Sequence, residues 1–451
     1  MIILIKNGHV VDPANDIDGV ADMLIADGVI KNVSQRIELK ALYAEVSEIS
    51  EGKYMVAESL QSSIKEELRV IDATGKYILP GLVDLHVHLR EPGFEYKETI
   101  ETGALAAAHG GVTTICPMPN TNPVIDSPEL VKQELEIAKK AVVNICPIGA
   151  VTLGQNGKEL ADIKGMKEAG AVAVSEDGKS VMNTAVYMEG LKAAKEAGIP
   201  VFAHCEDINL VRGGVMNEGE KSRELGFNGI TNSVEDVIVA RDIIMSNEAG
   251  NHIHLCHCST ELSVSLVKWA KREGMDVSAE VCPHHFTLSD SDIPGDDANF
   301  KMNPPLRSKD DVMALKAGLM AGTMEVISTD HAPHSKEEKE KSIKNSPFGI
   351  TGLETSFALS VTELVKAGIL TMKELVNRMS TTPASIINID RGTLGVGKVA
   401  DVIITDVDEP YIIDKETFLS KGKNTPFDGK KVYGKVLYTI VNGDIVWEEK
   451  E

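Results

Sequence analysis

The amino-acid sequence predicts an α/β fold, a (β/α)8 TIM-type barrel with a small β-sandwich domain built from both termini. Three observations lead to this prediction. Strand-like runs alternate with helical patterns through the middle of the chain, both ends are rich in short strands, and no G-x-G-x-x-G follows an early strand. The third observation disfavours the alternative, a doubly wound open sheet, because such sheets commonly carry that turn.

The two ends of the chain share a pattern of short strands and tight turns. At the start, MIILIKNGHVV and ADMLIADGVIKNV flank the turn DPAND, and at the end Asn442-Gly443 gives a hairpin signal. Because chain ends often lie close together, residues 1–77 and 391–451 are predicted to form one composite β domain. Residues 37–70 are charged and lack strand alternation, so they are predicted to be a surface insertion in it.

Residues 78–390 are predicted to form the catalytic barrel. Its eight strands are expected in the runs KYILPGLVDLHVH, GVTTICPMPN, VVNICPIGAV, GAVAVSEDG, IPVFAHCED, HIHLCHCST, DVSAEVCPHH and MEVISTDHAP. Helical patterns with clear boundaries lie between most of these runs. One begins at Ser127-Pro128, an N-cap followed by a proline in the first turn, and another ends at Gly250.

Composition and charge limit the function classes. The net charge of −22 argues against nucleic-acid or membrane-surface binding, which need basic patches. An anionic substrate would be repelled by this charge, so its site must supply positive charge locally. The six cysteines are scattered through apolar runs and are predicted to be reduced. With no apolar run of transmembrane length, the sequence predicts a cytoplasmic protein.

Side chains that bind metals lie at the ends of five predicted barrel strands. The C-terminal ends of barrel strands meet at one rim, where the active site lies, so this pattern predicts a metal site. The candidates exceed the three protein ligands of a mononuclear catalytic zinc, which favours two metal ions. The candidate ligands are His86, His88, Asp177 (after Glu176), His204, His257 and Asp330 (before His331).

Asp177 and Asp330 have specific predicted roles within this set. Asp177, on the fourth strand, is the candidate bridge between two metals, and its alternative is a turn residue in EDG. Asp330 is expected to bind metal and to accept the proton of a metal-activated water. Such a site hydrolyses amides or, in reverse, cyclises them. His284-His285, after the seventh strand, either lines the pocket or is structural.

Side-chain alternation along the first strand separates polar from apolar positions. Asp84, His86 and His88 are expected to point to the barrel interior, and Leu85, Val87 and Leu89 to the surrounding helices. Asp84 is expected to support a ligand histidine without being a ligand. The same rule turns Cys256 and Cys258 away from His257, and Cys205 away from His204. The run KEEKEK at 336–341 is expected to be a solvated loop, with a mobile lid as the alternative.

Long ordered motifs resemble those of one enzyme family. DLHVHLREPGFEYKETIETG, PMPNTNP, AHCED, CPHH, KMNPPLR, STDHAPH, SPFGITGLET and GTLGVGKVADVII resemble the dihydroorotases of the amidohydrolase superfamily over nearly the whole chain. The resemblance implies reversible, metal-hydroxide-mediated cyclisation of N-carbamoyl-L-aspartate to L-dihydroorotate in de novo pyrimidine (UMP) biosynthesis. AVAVSEDG lacks the carboxylated lysine of many relatives, which resembles the class I bacterial type, where aspartate takes that place.

The resemblance also implies roles for individual residues. His86, His88 and Asp330 would hold one Zn²⁺, His204 and His257 a second, and Asp177 would be shared, giving two zinc ions per subunit. The implied substrate contacts are His88, Arg90, Asn120, Asn303, His334, Phe348 and Gly349. A guanidinium at Arg90 would grip a substrate carboxylate with two parallel hydrogen bonds and so supply the local positive charge.

The resemblance implies a small-molecule substrate, and it extends to a homodimer and an association with aspartate transcarbamoylase. One alternative is another cyclic amidohydrolase, such as a hydantoinase, dihydropyrimidinase or allantoinase. Arg90 argues against it, because neutral ring substrates lack a carboxylate for it to grip. The other alternative is a non-catalytic dihydroorotase-like subunit, although such homologues usually lose ligands and every ligand position is filled here.

Overall fold

The computed structural model describes residues 1–38 and 68–450. Most of the predicted insertion, residues 39–67, therefore lies outside the described residues. Its last three residues, 68–70, are part of a strand, Leu68–Asp72, that pairs in parallel with Ile2–Lys6. The expectation that the whole of 37–70 lacks strand structure is thus wrong at its C-terminal end.

The described residues contain β1 to β21, numbered in chain order. These strands are Ile2–Asp12, Ile17–Ala26, Val29–Ser34, Leu68–Asp72, Tyr77–Pro80, Leu82–Val87, Val112–Pro117, Asn144–Ile145, Ile148–Ala150, Ala173–Ser175, Val201–Ala203, Met216–Asn217, Gly229–Ile230, Ile253–Leu255, Val277–Val281, Val326–Ile327, Val402–Asp406, Tyr411–Ile412, Lys431–Val432, Lys435–Val441 and Asp444–Glu448.

Both ends of the chain contribute to one eight-stranded sheet. Its order is β21-β20-β17-β5-β1-β2-β3, and β4 also pairs with β1. Strand β17 lies antiparallel to β5, with Ile404 opposite Ile78, so C-terminal strands add directly to N-terminal ones. Ile3 and Ile5 pack into one apolar cluster and Leu4 into another, which buries both faces of β1. The predicted division into domains at 77/78 and 390/391 stays a prediction.

Parallel strands occupy eight positions around a barrel. Strands β6-β7-β8 form one parallel run, and β9-β10-β11-β14-β15-β16 form another. Strands β8 and β9 are two halves of the third strand, interrupted at Cys146-Pro147. The chain after β16 returns to β6, because Val87 forms a parallel bridge with His331 and the amide of His88 donates to His331 O at 2.8 Å. The predicted barrel is therefore confirmed.

Helices surround the barrel and connect its strands. One begins as predicted at Ser127, whose hydroxyl accepts a hydrogen bond from the amide of Leu130. None of the helices in the described ranges combines the length and apolar character that a membrane span requires. The helices are Ile100–His109, Pro128–Ala138, Ile163–Ala169, Thr184–Ala197, Glu220–Leu225, Ser233–Ala249, Glu261–Arg272, Pro283–Thr287, Lys309–Met320, Lys336–Lys339, Ser356–Ser360, Met372–Val376 and Thr382–Ile386, with π-helical turns at Val361–Val365 and Asn377–Thr381.

The first barrel strand departs from simple alternation. A register irregularity lies between Asp84 and Val87. As a result, Leu85 packs in the cluster that fills the barrel interior, whereas Val87 and Leu89 pack against the helices. The expectation that Leu85 shares a face with Val87 is wrong, because the irregularity inserts an extra residue into the pairing. The interior cluster contains Val83, Leu85, Cys116, Ile148, Ala173, Phe202, Cys256 and Val326.

Candidate metal and substrate site

The six candidate ligands meet at the C-terminal rim of the barrel. His86 lies within β6 and His88 just after it, and the other four follow the ends of β10, β11, β14 and β16. All six residues are buried, with exposures between 0% and 6%. Parallel barrel strands bring their carboxyl ends to one rim, so strand ends far apart in sequence become neighbours. Their role as metal ligands stays a prediction.

Asp177 lies at the centre of this group. Its Oδ1 is 3.3 Å from His86 Nε2 and 3.4 Å from His204 Nδ1, and its Oδ2 is 3.5 Å from His88 Nε2. His257 Nε2 lies 3.9 Å from Asp177 Oδ1 and 2.9 Å from His204 Nδ1. Four groups of side chains in the described residues could hold a metal ion, and two of them, His86-His88-Asp177 and Asp177-His204-His257, share the carboxylate of Asp177.

Asp330 lies on the side of the first of these groups. Its Oδ1 is 3.1 Å from His88 Nε2 and 3.6 Å from His86 Nε2. Burial alone would raise the pKa of Asp330, but the hydrogen bond with His88 and the nearby imidazoles lower that pKa to about 2. The Asp330 carboxyl is therefore ionised at neutral pH and able to accept a proton.

The donor atoms of the cluster fit divalent cations. His86 Nε2 and Asp177 Oδ1 are buried, and neither has a hydrogen-bond partner in the described part of the chain. Buried polar atoms without partners are costly, so a pair of them 3.3 Å apart indicates atoms reserved for a ligand. Imidazole nitrogens and carboxylate oxygens are the donors that Zn²⁺ and similar ions prefer.

The electrostatics of the cluster also favour bound positive charge. Burial opposes ionisation of Asp177, yet His86, His204 and His257 hold the pKa of this carboxyl well below its usual range. In the same way, Asp177 and Glu206 overcome burial and raise the pKa of His204 to about 10. Carboxylates that hold protons on neighbouring imidazoles would equally stabilise a divalent cation in their place.

Arg90 and His334 form a second part of the site. Arg90 Nε donates to Pro333 O at 3.3 Å, and its Nη2 lies 3.4 Å from His334 Nε2. No ion pair to Arg90 occurs within residues 1–38 and 68–450, so its charge is not neutralised there. The His334 ring is 2.7 Å from Phe348 O through Nε2. Burial and the neighbouring Arg90 and Lys97 lower the pKa of His334, which keeps this imidazole neutral.

Comparisons with known proteins identify the family of this chain. Residues 75–263 match the family described as dihydro-orotase-like. The chain is 45% identical over 449 residues to the dihydroorotase of Acetivibrio thermocellus, covering 99% of each chain. It is also 45% identical over 451 residues to the dihydroorotase of Bacillus cytotoxicus, covering 100% of this chain and 99% of that one. The chain belongs to the dihydroorotase family.

A solved structure extends the comparison to the fold. The L-hydantoinase (dihydropyrimidinase) of Arthrobacter aurescens superimposes with a TM-score of 0.83 at 27% identity, covering 100% of this chain and 96% of that one. The likeness spans both the barrel and the terminal sheet, so the predicted fold class is confirmed. Like its relatives, this dihydroorotase-family chain is a hydrolase of cyclic amides.

Two predicted substrate contacts of this dihydroorotase-family chain, Asn120 and Asn303, are linked to the candidate ligand histidines. Asn120 Oδ1 is 2.9 Å from His88 Nδ1, and its Nδ2 donates to Asp177 Oδ2 at 3.0 Å. Asn303 Nδ2 donates to Glu206 Oε1 at 3.1 Å, and Glu206 Oε2 is 3.1 Å from His204 Nε2. Each asparagine is thus tied by hydrogen bonds to one of the two histidine groups.

Gly349 lies against the ring of His334 at the same rim. Its φ is +126°, and a Cβ there would lie 2.6 Å from the Ala332 side chain and 3.1 Å from His334 Nε2. A side chain at position 349 would therefore be strained and would displace His334. The carbonyl of Phe348 contacts His334, and the carbonyl of Gly349 accepts hydrogen bonds from Lys339 Nζ and Asn424 Nδ2. The role of Phe348 and Gly349 as substrate contacts stays a prediction.

Glu280 is a site residue that the sequence analysis missed. Its Oε1 lies 2.8 Å from His86 Nδ1 and accepts from the amide of His257 at 3.1 Å, and its Oε2 is 3.0 Å from His254 Nε2. A carboxylate on Nδ1 fixes the tautomer of His86 and directs Nε2 to the cluster. The available signal was Ser278 and Glu280 alternating in an otherwise apolar strand, VSAEV.

Asp84 supports a candidate ligand histidine as predicted, whereas Cys256 differs from its predicted placement. Asp84 Oδ1 accepts from the backbone amides of His86 and Thr329, each at 3.1 Å, so it supports the His86 backbone, whereas Glu280 supports the ring. The sulfur of Cys256 lies in one group with His86 and Glu280, so the prediction that it turns away is wrong. Cys258 and Cys205 pack in the barrel–helix layer as expected.

Three site residues have a left-handed backbone conformation. The φ angles are +64° at Arg90, +36° at His257 and +48° at Asp330. Residues with side chains rarely adopt positive φ, and such positions concentrate at functional sites. In this chain, these positions direct a guanidinium, an imidazole and a carboxylate to the rim. His284 and His285 are also buried, and His285 Nε2 donates to Pro304 O at 2.9 Å.

Proposed function

We propose that the site catalyses the reversible cyclisation of N-carbamoyl-L-aspartate to L-dihydroorotate in pyrimidine (UMP) synthesis. The observation that carries the proposal is the carboxylate of Asp177, which two groups of histidines share. Relatives named dihydroorotase at 45% identity over 99% of the chain support it. A cytoplasmic location, a homodimer and an association with aspartate transcarbamoylase remain predictions from the sequence.

His86, His88 and Asp330 would hold one Zn²⁺, and His204 and His257 would hold a second, with Asp177 shared between them. When bound, two such ions lower the pKa of a water molecule and polarise a carbonyl oxygen. Asn120 and Glu206 would orient the ligand rings, because each contacts the second nitrogen of a ligand histidine.

Asp330 would transfer the proton in this reaction. In ring opening, water attacks the ring carbonyl carbon, and Asp330 takes one proton from that water. The same proton then passes to the ring nitrogen as the C–N bond breaks, leaving N-carbamoyl-L-aspartate. Ring closure follows this path in reverse, with the C–N bond forming and water departing. The pKa of Asp330, lowered to about 2 by His88 and the other nearby imidazoles, keeps this carboxyl ionised at neutral pH.

Arg90 would bind the carboxylate that both the open and the closed substrate carry. Its guanidinium lacks an ion-pair partner in the described ranges, and burial lowers its pKa only from a very high ordinary value, so it stays charged. The positive charge of Arg90 would attract the anionic substrate locally, although the net charge of −22 on the whole chain repels it. The neutral His334 would complete the contacts, together with Phe348, Gly349, His88, Asn120 and Asn303.

The proposal is tested by assaying the purified full chain with dihydroorotate, hydantoin and allantoin, alongside metal analysis. We expect hydrolysis of dihydroorotate alone, with about two zinc ions per chain. Hydrolysis of only hydantoin and allantoin would instead favour a hydantoinase, the activity named for the structural neighbour from Arthrobacter aurescens. A metal-loaded chain that is inert but co-purifies with a transcarbamoylase would favour a non-catalytic subunit.

A further inference from the structure

Two buried lysines, Lys301 and Lys339, lie beneath the segment 343–349 that ends in Phe348 and Gly349. Lys301 is 3% exposed and Lys339 is 8% exposed. Neither forms an ion pair with a carboxylate in the described part of the chain. Lys339 belongs to the run KEEKEK, and its burial contradicts the expectation that this run is entirely a solvated loop. Burying a cation without a counter-charge costs free energy. Two such residues side by side therefore indicate a functional role.

The ammonium groups of these lysines hold the backbone of the segment 343–349. Lys301 Nζ donates to the carbonyls of Ile343 and Ser346, each at 2.6 Å. Lys339 Nζ donates to Gly349 O at 2.8 Å, to Pro347 O at 3.2 Å and to Lys301 O at 3.3 Å. The segment contains no helix or strand, so these charge-assisted bonds replace the ladder that regular structure would provide.

The lysine contacts also link the segment to the substrate site. Lys301 Nζ lies 4.3 Å from the ring centre of Phe348, a cation–π contact, and the amide of Gly349 donates to Lys301 O at 3.0 Å. The remaining carbonyl near the site, that of Phe348, is 2.7 Å from His334 Nε2. A shift of either lysine would therefore move Phe348 and Gly349, the two residues of this segment that are proposed to contact the substrate.

The contacts of Lys339 match those of an ammonium ion. Burial lowers the pKa of Lys339 to about 7 and that of Lys301 to about 8. A neutral amine has only two hydrogens, however, and Lys339 Nζ has three carbonyl partners. Three acceptors around one nitrogen match the three donors of an ammonium group.

We propose that Lys301 and Lys339 are positioning residues, which fix the backbone of 343–349 so that Phe348 and Gly349 can bind the substrate. This inference rests on the proposed dihydroorotase function. It assigns the lysines no contact with the reacting atoms. They should therefore control substrate affinity more than the rate of the chemical step.

The test is the Lys339→Met variant, with Lys336→Met as the matched control. Lys336 lies in the same short helix, but its side chain is 83% exposed. We expect Lys339→Met to raise the KM for dihydroorotate by about tenfold or more, with kcat within about threefold, because three charge-assisted bonds are lost. Lys336→Met should leave both constants unchanged, and Lys339→Arg should recover part of the affinity. An unchanged KM, or a fall in kcat alone, would overturn the proposal.

A second measurement does not depend on catalysis. Hydrogen–deuterium exchange of the peptide covering 343–349 should be slow in the unmodified protein and faster in Lys339→Met, with the barrel strands unaltered. If Lys339→Met does not fold, Lys301→Met replaces it, since that change removes two bonds from the same segment. Equal exchange in variant and parent would refute the positioning role. If the unmodified protein does not hydrolyse dihydroorotate, that result contradicts the proposed function but leaves the exchange test of the lysines valid.

Discussion

Replacing Glu280 by glutamine should weaken metal binding without unfolding the barrel. The Glu280 carboxylate is fully buried and contacts the rings of His86 and His254 at 2.8 and 3.0 Å. It is also held ionised, because these histidines overcome burial and keep the pKa of Glu280 well below its usual range. Glutamine has nearly the same shape, so the change removes the charge and one acceptor while keeping the packing.

The expected loss of metal affinity follows from the contacts that glutamine cannot reproduce. Its single oxygen can accept from only one of the two rings, and its NH2 group then faces the N–H of the other. His86 consequently loses its anionic partner or changes tautomer, and its Nε2 becomes a poorer ligand. Changes to such supporting carboxylates cost about 10–100-fold in metal affinity, or about 1.4–2.8 kcal/mol.

The assay is a competition titration of metal-free protein with Zn²⁺ and a chromogenic chelator, comparing the variant with the parent. Glu134→Gln is the matched control, because Glu134 is also a buried glutamate, at 1% exposure, but lies in the helix Pro128–Ala138. Zinc affinity should fall in Glu280→Gln and stay constant in Glu134→Gln. Equal affinities in Glu280→Gln and the parent would refute the assigned role of Glu280.

Three further predictions concern turnover, substrate binding and stability. Asp330→Asn should reduce kcat for dihydroorotate by at least about 100-fold, because the proton acceptor is lost, while most zinc remains bound; substantial residual turnover would assign the proton transfer elsewhere. Arg90→Met should raise KM by about tenfold or more with a smaller effect on kcat, because a charged bidentate contact is removed; an unchanged KM would contradict the carboxylate assignment. Glu134 has no hydrogen-bond partner among the described residues, and burial raises the pKa of its carboxyl from 4.5 to about 8. Its neutral form therefore stabilises the fold at low pH, and unfolding free energy should fall by up to about 1.4 kcal/mol per pH unit as the pH rises from 4.5 towards 8. Urea unfolding of Glu134→Gln should show a flatter pH dependence over this range, and identical slopes would contradict the burial argument.

The barrel and the clustering of its ligands could be predicted from the sequence because both depend on local patterns. Strand-like runs ending in His88, Asp177, His204, His257 and Asp330 are visible one at a time. The rule that parallel strands end at one rim then brings them together without any knowledge of packing. The ligand pattern was visible because strand periodicity limits where each side chain can point.

The contacts of Glu280, Cys256 and Lys339 could not be predicted in this way. The orientation of Cys256 relative to His86 depends on how neighbouring strands pack within the barrel. In the sequence, Lys339 is one of several charged residues in a hydrophilic run. It is buried only because the segment 343–349 folds over it. Glu280 becomes a partner of His86 through a contact between residues 194 positions apart.

The sequence alone was enough to predict the barrel, the candidate ligand types at its rim and the cation at Arg90, because each prediction rests on local periodicity and side-chain chemistry. Only the tertiary structure decided which carboxylate orients His86 and which lysines hold the segment 343–349. Those choices depend on distances of about 3 Å between distant parts of the chain, where hydrogen bonds form or fail. Such distances are set by the packing of the whole barrel.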